Sequence, residues 1–118
     1  MALSMTLDQA SGHWTLTLQG ELDYGECARF RMTIDRILRE SPPSVVIDLS
    51  SLDLLDSSGL GLLLALSKQY CADGGRLILV TNAAVNNILE LTRLSGIFSC
   101  APSLAEAETM LTDVSAEP

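Results

Sequence analysis

A chain of 118 residues has room for one hydrophobic core and therefore one domain. With 47% apolar and 19% charged residues it carries enough hydrocarbon to bury that core, which excludes a disordered linker or tail. Fifteen acidic against seven basic residues give a net charge of −8, a poor match for a phosphate backbone, and this argues against direct nucleic-acid binding.

Leu3, Met5 and Leu7 alternate with polar residues, and beyond Ala10-Ser11-Gly12 so do Trp14, Leu16 and Leu18. Period two on both sides of a turn signal predicts a hairpin with one wet face. From Cys27 the period lengthens: Cys27, Phe30, Ile34, Ile37 and Leu38 recur at helical spacing until Ser41-Pro42-Pro43 stops the helix. Val45-Val46-Ile47-Asp48-Leu49 is nearly continuous hydrocarbon, as expected for a strand covered on both faces in the middle of a sheet.

Asp56-Ser57-Ser58-Gly59 leads into a second helix, residues 60–73, whose leucines leave almost no polar face at its start. Asp73-Gly74-Gly75 ends it, and Arg76-Leu77-Ile78-Leu79-Val80 is another buried strand. Val85, Ile88, Leu89 and Thr92 mark a third helix, capped by Ser95-Gly96, before a short strand Ile97-Phe98-Ser99. Leu104, Ala107 and Leu111 mark a fourth helix. The order β-β-α-β-α-β-α-β-α predicts one α/β domain over residues 1–118, with a mixed, mostly parallel sheet, an N-terminal hairpin and about four helices. Its core spans about residues 3–113, and the tail, residues 114–118, is expected to fray.

The first residues lack a basic start followed by an apolar run and a small-residue cleavage site, and the stretch from Leu60 to Leu66 is far short of the ~20 residues a membrane helix needs. The expectation is a soluble cytoplasmic protein without membrane insertion. Cys27, Cys71 and Cys100 are an odd number without paired short spacing, which suits neither a disulfide framework nor a zinc site. Reduced thiols are the default. Cys71 near the end of the second helix and Cys100 just after the last short strand are a candidate redox pair if the fold brings them within ~7 Å.

Catalytic constellations are scarce. The sole histidine, His13, lies on the polar face of a hairpin strand with no cysteine beside it, so metal ligation and histidine-based catalysis lose their main carrier. No G-x-S-x-G elbow or phosphate-binding Gly-Lys-Ser/Thr loop is present, and Gly59-Leu60-Gly61 stops short of G-x-G-x-x-G because Leu64 holds the third place. What remains is Asp56-Ser57-Ser58-Gly59-Leu60-Gly61 at a strand-to-helix junction. An N-cap explains such a tetrapeptide by itself. A hydroxyl there is also a good phosphoacceptor, since a phosphate gains free backbone donors and the positive end of the helix dipole.

At this junction the sequence resembles the bacterial anti-sigma factor antagonists, single-domain members of the STAS family. The resemblance rests on Gly20-Glu21-Leu22-Asp23, on Val46-Ile47-Asp48-Leu49 leading to Leu55-Asp56-Ser57-Ser58-Gly59-Leu60-Gly61, and on Asp73-Gly74-Gly75, in the family's order and spacing. It covers about residues 3–113. It implies a non-enzymatic switch without a cofactor, in which the unmodified protein captures an anti-sigma factor that is also a serine kinase and so frees a sigma factor. Phosphorylation of Ser57 ends the capture, and a serine phosphatase reverses it. Asp23, Asp56, Ser57, Ser58, Gly59, Leu60 and Gly61 are then the partner surface. Glu26 stands where the family commonly has a Thr cap, and Asn82-Ala83 where a Ser-Pro often opens the third helix; Asn82 can still cap, so only the entry angle of that helix is left open. Competing expectations are an accessory subunit of a membrane transport ATPase that docks the same loop without phosphorylation, and a small-ligand module with a pocket near that loop.

Overall fold

The alternating N-terminus folds into two antiparallel strands, β1 (Leu3–Asp8) and β2 (His13–Leu22), with Leu3 opposite Gly20 and Asp8 opposite Thr15. Leu3, Trp14, Leu16 and Leu18 point inward and are buried, as the period-two reading requires. The computed structural model describes residues 2–9 and 12–116; Ala10 and Ser11 of the expected turn lie outside them, and Gly12 takes a positive φ of 82°. Gly20, at φ 98°, lets the backbone pass so close to Ala2 that a Cβ would sit 2.0 Å from its carbonyl oxygen. That approach allows the Glu21 amide to donate to Ala2 O at 3.0 Å.

After β2, α1 (Cys27–Glu40) buries Phe30, Ile34 and Ile37 and delivers the chain to β3 (Ser44–Leu55), the middle strand of a five-stranded sheet ordered β1-β2-β3-β4-β5. Parallel pairing joins β2 to β3, β3 to β4 (Arg76–Val80) and β4 to β5 (Ser99–Ala101). β2 and β3 both run beyond the apolar segments that announced them. Register shifts between Thr17 and Gln19 and between Gly20 and Glu21 keep the two paired until Leu22 lies opposite Leu55.

The two faces of the sheet carry unequal cores. Val45, Ile47 and Leu49 turn toward α1, toward α2 (Ser57–Ala72) and toward α3 (Ala83–Leu91), in a cluster that includes Leu60, Leu63, Leu66, Val85 and Leu89. Val46, Ile78 and Val80 turn the other way, onto Ala107 and Leu111 of α4 (Leu104–Ala116). Burying one such side chain completely contributes about 1.5–3 kcal/mol, so the larger cluster holds α2 most firmly. At the end of α2, Tyr70 is buried with its hydroxyl donating to Pro42 O, and its ring leaves no room for a side chain at Gly75. Among the described residues no helix is long and apolar enough to cross a membrane.

Other boundaries also differ from the sequence expectation: α2 begins at Ser57, directly after its cap Asp56, and not at residue 60. α3 ends at Leu91 and not at Ser95-Gly96, because Arg93 adopts φ 61° and the Leu94 and Arg93 amides donate back to Leu89 O and Glu90 O. This Schellman closure draws Leu94 onto the core. The last strand begins at Ser99, two residues late, since Ile97 is held in a turn by Leu94 O while Phe98 is buried. The expected tail is helical as far as Ala116, and residues 117–118 lie outside the described ones.

Candidate functional site

At the C-terminal ends of β2 and β3 the ladder makes one last contact, the Asp56 amide donating to Leu22 O at 3.2 Å, and both chains then turn into helices. Asp56 is extended (φ −97°, ψ −179°), the conformation of an N-cap. Its Oδ1 accepts from the Ser58 amide at 3.0 Å and the Gly59 amide at 3.1 Å, and its Oδ2 accepts from the Tyr24 amide at 3.0 Å. One carboxylate therefore closes α2 and ties it to the segment after β2. Asp23 caps the 3-10 turn Tyr24–Glu26 by accepting from the Glu26 amide at 3.2 Å. The bond from Tyr24 to Asp56 brings Asp23 beside the junction.

The four residues after Asp56 divide their work. Ser57 is exposed at the first helical position and Ser58 is half-buried. Gly59 is buried where a Cβ would stand 2.6 Å from Leu22 Cγ and 3.1 Å from Leu22 O, so only glycine lets α2 lie against β2. Leu60 is buried and its amide makes the first helical bond, to Asp56 O. Gly61 is exposed with open space around it, so packing does not demand a glycine there. The free donors expected for a phosphate are largely taken, because Asp56 already occupies the Ser58 and Gly59 amides. A phosphate on Ser57 would keep the helix dipole with fewer free amides around it.

The local potential is negative. Burial first, then the Asp56 and Asp23 carboxylates, push the Cys27 thiol above its ordinary range, with Arg31 acting in the opposite direction. Cys27 Sγ lies 3.4 Å from Asp23 O as a donor.

Glu26 holds the N-cap position of α1 without a side-chain cap bond. Asn82 does cap α3, its Oδ1 accepting from the Val85 amide at 2.8 Å. Its Nδ2 also faces three carbonyls of β3, Leu49 O at 3.4 Å, Ser50 O at 3.2 Å and Leu52 O at 3.0 Å, where the strand shifts register. This fixes the start of α3 without a proline. The sequence points to the cap at Asn82 but not to its bonds with β3, nor to Tyr24 and Leu22 as parts of the site. Leu22 had a signal, being the one apolar residue between two carboxylates in Glu21-Leu22-Asp23.

Residues away from the junction are plain. His13 shares a hydrogen bond between Nδ1 and Ser44 Oγ and borders a cavity of about 340 Å³ with Asp8 and Glu108, at the opposite end of β3 from Asp56. All three cysteines are free thiols. Cys71 is exposed on the last turn of α2, while Cys100 is half-buried in β5 with its thiol pushed up by burial. Among the described residues no group of three His, Cys, Asp or Glu side chains could hold a metal.

Comparison with known proteins gives the family and the fold. The STAS domain family matches residues 4–107. An anti-sigma F factor antagonist of Paenibacillus polymyxa is 30% identical over 116 residues, covering 97% of each chain. An anti-sigma factor antagonist from Mycobacterium paratuberculosis has a solved structure with a TM-score of 0.83 and 26% identity, covering 92% of this chain and 93% of that one. The Bacillus cell fate determinant SpoIIAA, solved in its phosphorylated form, shares the fold at 22% identity and a TM-score of 0.71, covering 92% of this chain and 99% of that one.

Proposed function

Since the chain belongs to the STAS domain family and stands among its bacterial anti-sigma factor antagonists, we propose that it acts as a phosphorylation-controlled antagonist in the cytoplasm. Unmodified, it binds an anti-sigma factor that is also a serine kinase, and a sigma factor is released. Phosphorylated on Ser57 it lets go, and a serine phosphatase resets it. The chain supplies the surface and its partners supply the chemistry.

The observation that carries this reading is the division of labour around Asp56. The carboxylate holds the amides of Tyr24, Ser58 and Gly59, which leaves the Ser57 side chain exposed on a rigid junction. Phosphorylation adds about −1.5 to −2 charge beside Asp56 and Asp23. Inside the domain little packing is lost. At an interface the same charge lands without a counter-ion at a central contact, where a loss of about 2 kcal/mol weakens binding roughly thirtyfold.

The test is incubation with the purified anti-sigma factor kinase of the same organism and ATP, followed by mass spectrometry. Phosphate is expected on Ser57 and absent from Ser57→Ala. Phosphate on Ser58, or undiminished labelling of Ser57→Ala, contradicts the assignment. Purified without partners, the chain is expected to hydrolyse no ATP.

A further inference from the structure

Charge is unevenly placed on this acidic molecule. Four of its seven basic residues, Arg29, Arg31, Arg36 and Arg39, lie on α1 with only two of its fifteen acidic ones, Asp35 and Glu40. Two of the arginines are committed within the domain. Arg29 pairs with Glu26 at 2.7 Å and donates to Leu3 O at 2.9 Å; Arg36 pairs with Glu40 at 3.1 Å and lies 5.7 Å from the centre of the Trp14 ring. Arg31 and Arg39 have no such partner among the described residues.

Those two arginines share the outward stripe of the helix. Ala28, Arg31, Met32, Asp35 and Arg39 recur at intervals of three and four residues, away from buried Phe30, Ile34 and Ile37, and all five are exposed. Met32 is 73% exposed, and Tyr24, on the 3-10 turn that runs into α1, is 80% exposed. The amide of Tyr24 donates to Asp56, so the stripe is continuous with the junction that carries Ser57. Tyrosine, methionine and arginine are the residue types enriched in protein interfaces.

We propose that this face of α1 is a second docking surface for the anti-sigma factor, taking an acidic segment of that partner whose carboxylates meet Arg31 and Arg39 on either side of an apolar contact to Met32. The inference rests on the functional reading above. Eight residues of helix separate the two guanidinium-bearing positions by about 12 Å along the axis, which sets the spacing of the partner's carboxylates. Asp35 lies one turn from each arginine and disfavours a carboxylate at the centre, so the segment is acidic at its ends. Nucleic acid, anionic lipid and a second copy of the chain all meet the opposing charge of −8.

Binding kinetics with the purified anti-sigma factor of the same organism, at low and at raised salt, test the proposal. Arg31→Glu/Arg39→Glu, its fold checked by circular dichroism, is expected to weaken binding about tenfold at low salt, mostly through slower association, with the gap narrowing as salt screens it. Met32→Ala is expected to speed dissociation about threefold. Arg93→Glu, a single reversal beyond α3 with half the charge change, is the control and is expected to move affinity less than twofold. If the double reversal changes affinity less than twofold, or Arg93→Glu matches it, the docking surface is overturned while the functional reading stands. If the wild-type chain does not bind at all, the functional reading falls and the proposal falls with it. Dimerisation in ultracentrifugation, or co-sedimentation with anionic vesicles, that the double reversal abolishes gives the face a different occupant and also overturns it.

Discussion

Two helices of this domain start by the same device and end up with different uses. α2 and α3 both begin after an extended residue whose short polar side chain caps the helix and reaches a second segment, Asp56 in one case and Asn82 in the other. The carboxylate of Asp56 only accepts, so it gathers amides, from Tyr24, Ser58 and Gly59. The amide of Asn82 both accepts and donates, so it gathers carbonyls of β3 as well as the Val85 amide. Asp56 is followed by an exposed serine and Asn82 by an alanine. The comparison teaches that one capping geometry makes a fixed structural pin when the side chain is neutral and followed by Ala, and leaves an exposed hydroxyl beside a fixed charge when it is acidic and followed by Ser.

The largest effect is expected from breaking the pin. Asn82→Asp keeps the cap acceptor but sets an oxygen against three carbonyl oxygens, and should cost about 2–3 kcal/mol in denaturant unfolding. A loss well under 1 kcal/mol would mean that Nδ2 is not what holds the register shift of β3. Next comes Gly59→Ala, where overpacking against Leu22 of about 1–3 kcal/mol exceeds a gain in helix propensity of up to about 1 kcal/mol, for a net loss of about 1–2 kcal/mol. Unchanged stability there would show that α2 slides off β2 without cost.

Asp56→Asn is the mirror of the first change. It retains an acceptor for Ser58 and Gly59 but offers Tyr24 an amino group in place of an oxygen, and about 1 kcal/mol should be lost. Hydrogen exchange should quicken at Tyr24 more than at Ser58, and the reverse order would contradict the assignment of the two oxygens. The smallest effect is expected for Ser57→Ala, within about 0.5 kcal/mol, because Asp56 and not Ser57 is the cap. Its unfolding midpoint is the check.

The same contrast explains what could be read from the chain beforehand. Asp56-Ser57-Ser58-Gly59 stands between a continuous apolar strand and a leucine-rich helix, and both neighbours are strong enough signals to locate the junction from local sequence. The bond from Tyr24 to Asp56 joins residues 32 positions apart, and no local pattern encodes it. For α3 the misleading signal was Gly96. The helix closes earlier, on Arg93, because drawing Leu94 into the core outweighs the cost of about 1–2 kcal/mol for a left-handed arginine. β5 was displaced for a related reason, since packing buries Phe98 ahead of the strand and leaves Ile97 exposed in a turn. Local reading succeeded where propensity and packing agreed, and slipped where packing overruled a glycine.

The central claim is that phosphate on Ser57 acts at the surface of a junction that stays as it is. Heteronuclear NMR of the free domain, with and without the phosphate, tests it most directly. Shifts confined to residues 56–61 and to Asp23 and Tyr24, with the Tyr24 amide still protected by Asp56, are the predicted result. Shifts spreading through residues 45–49 of β3 and 77–80 of β4 would mean that the sheet itself rearranges, and would contradict the account.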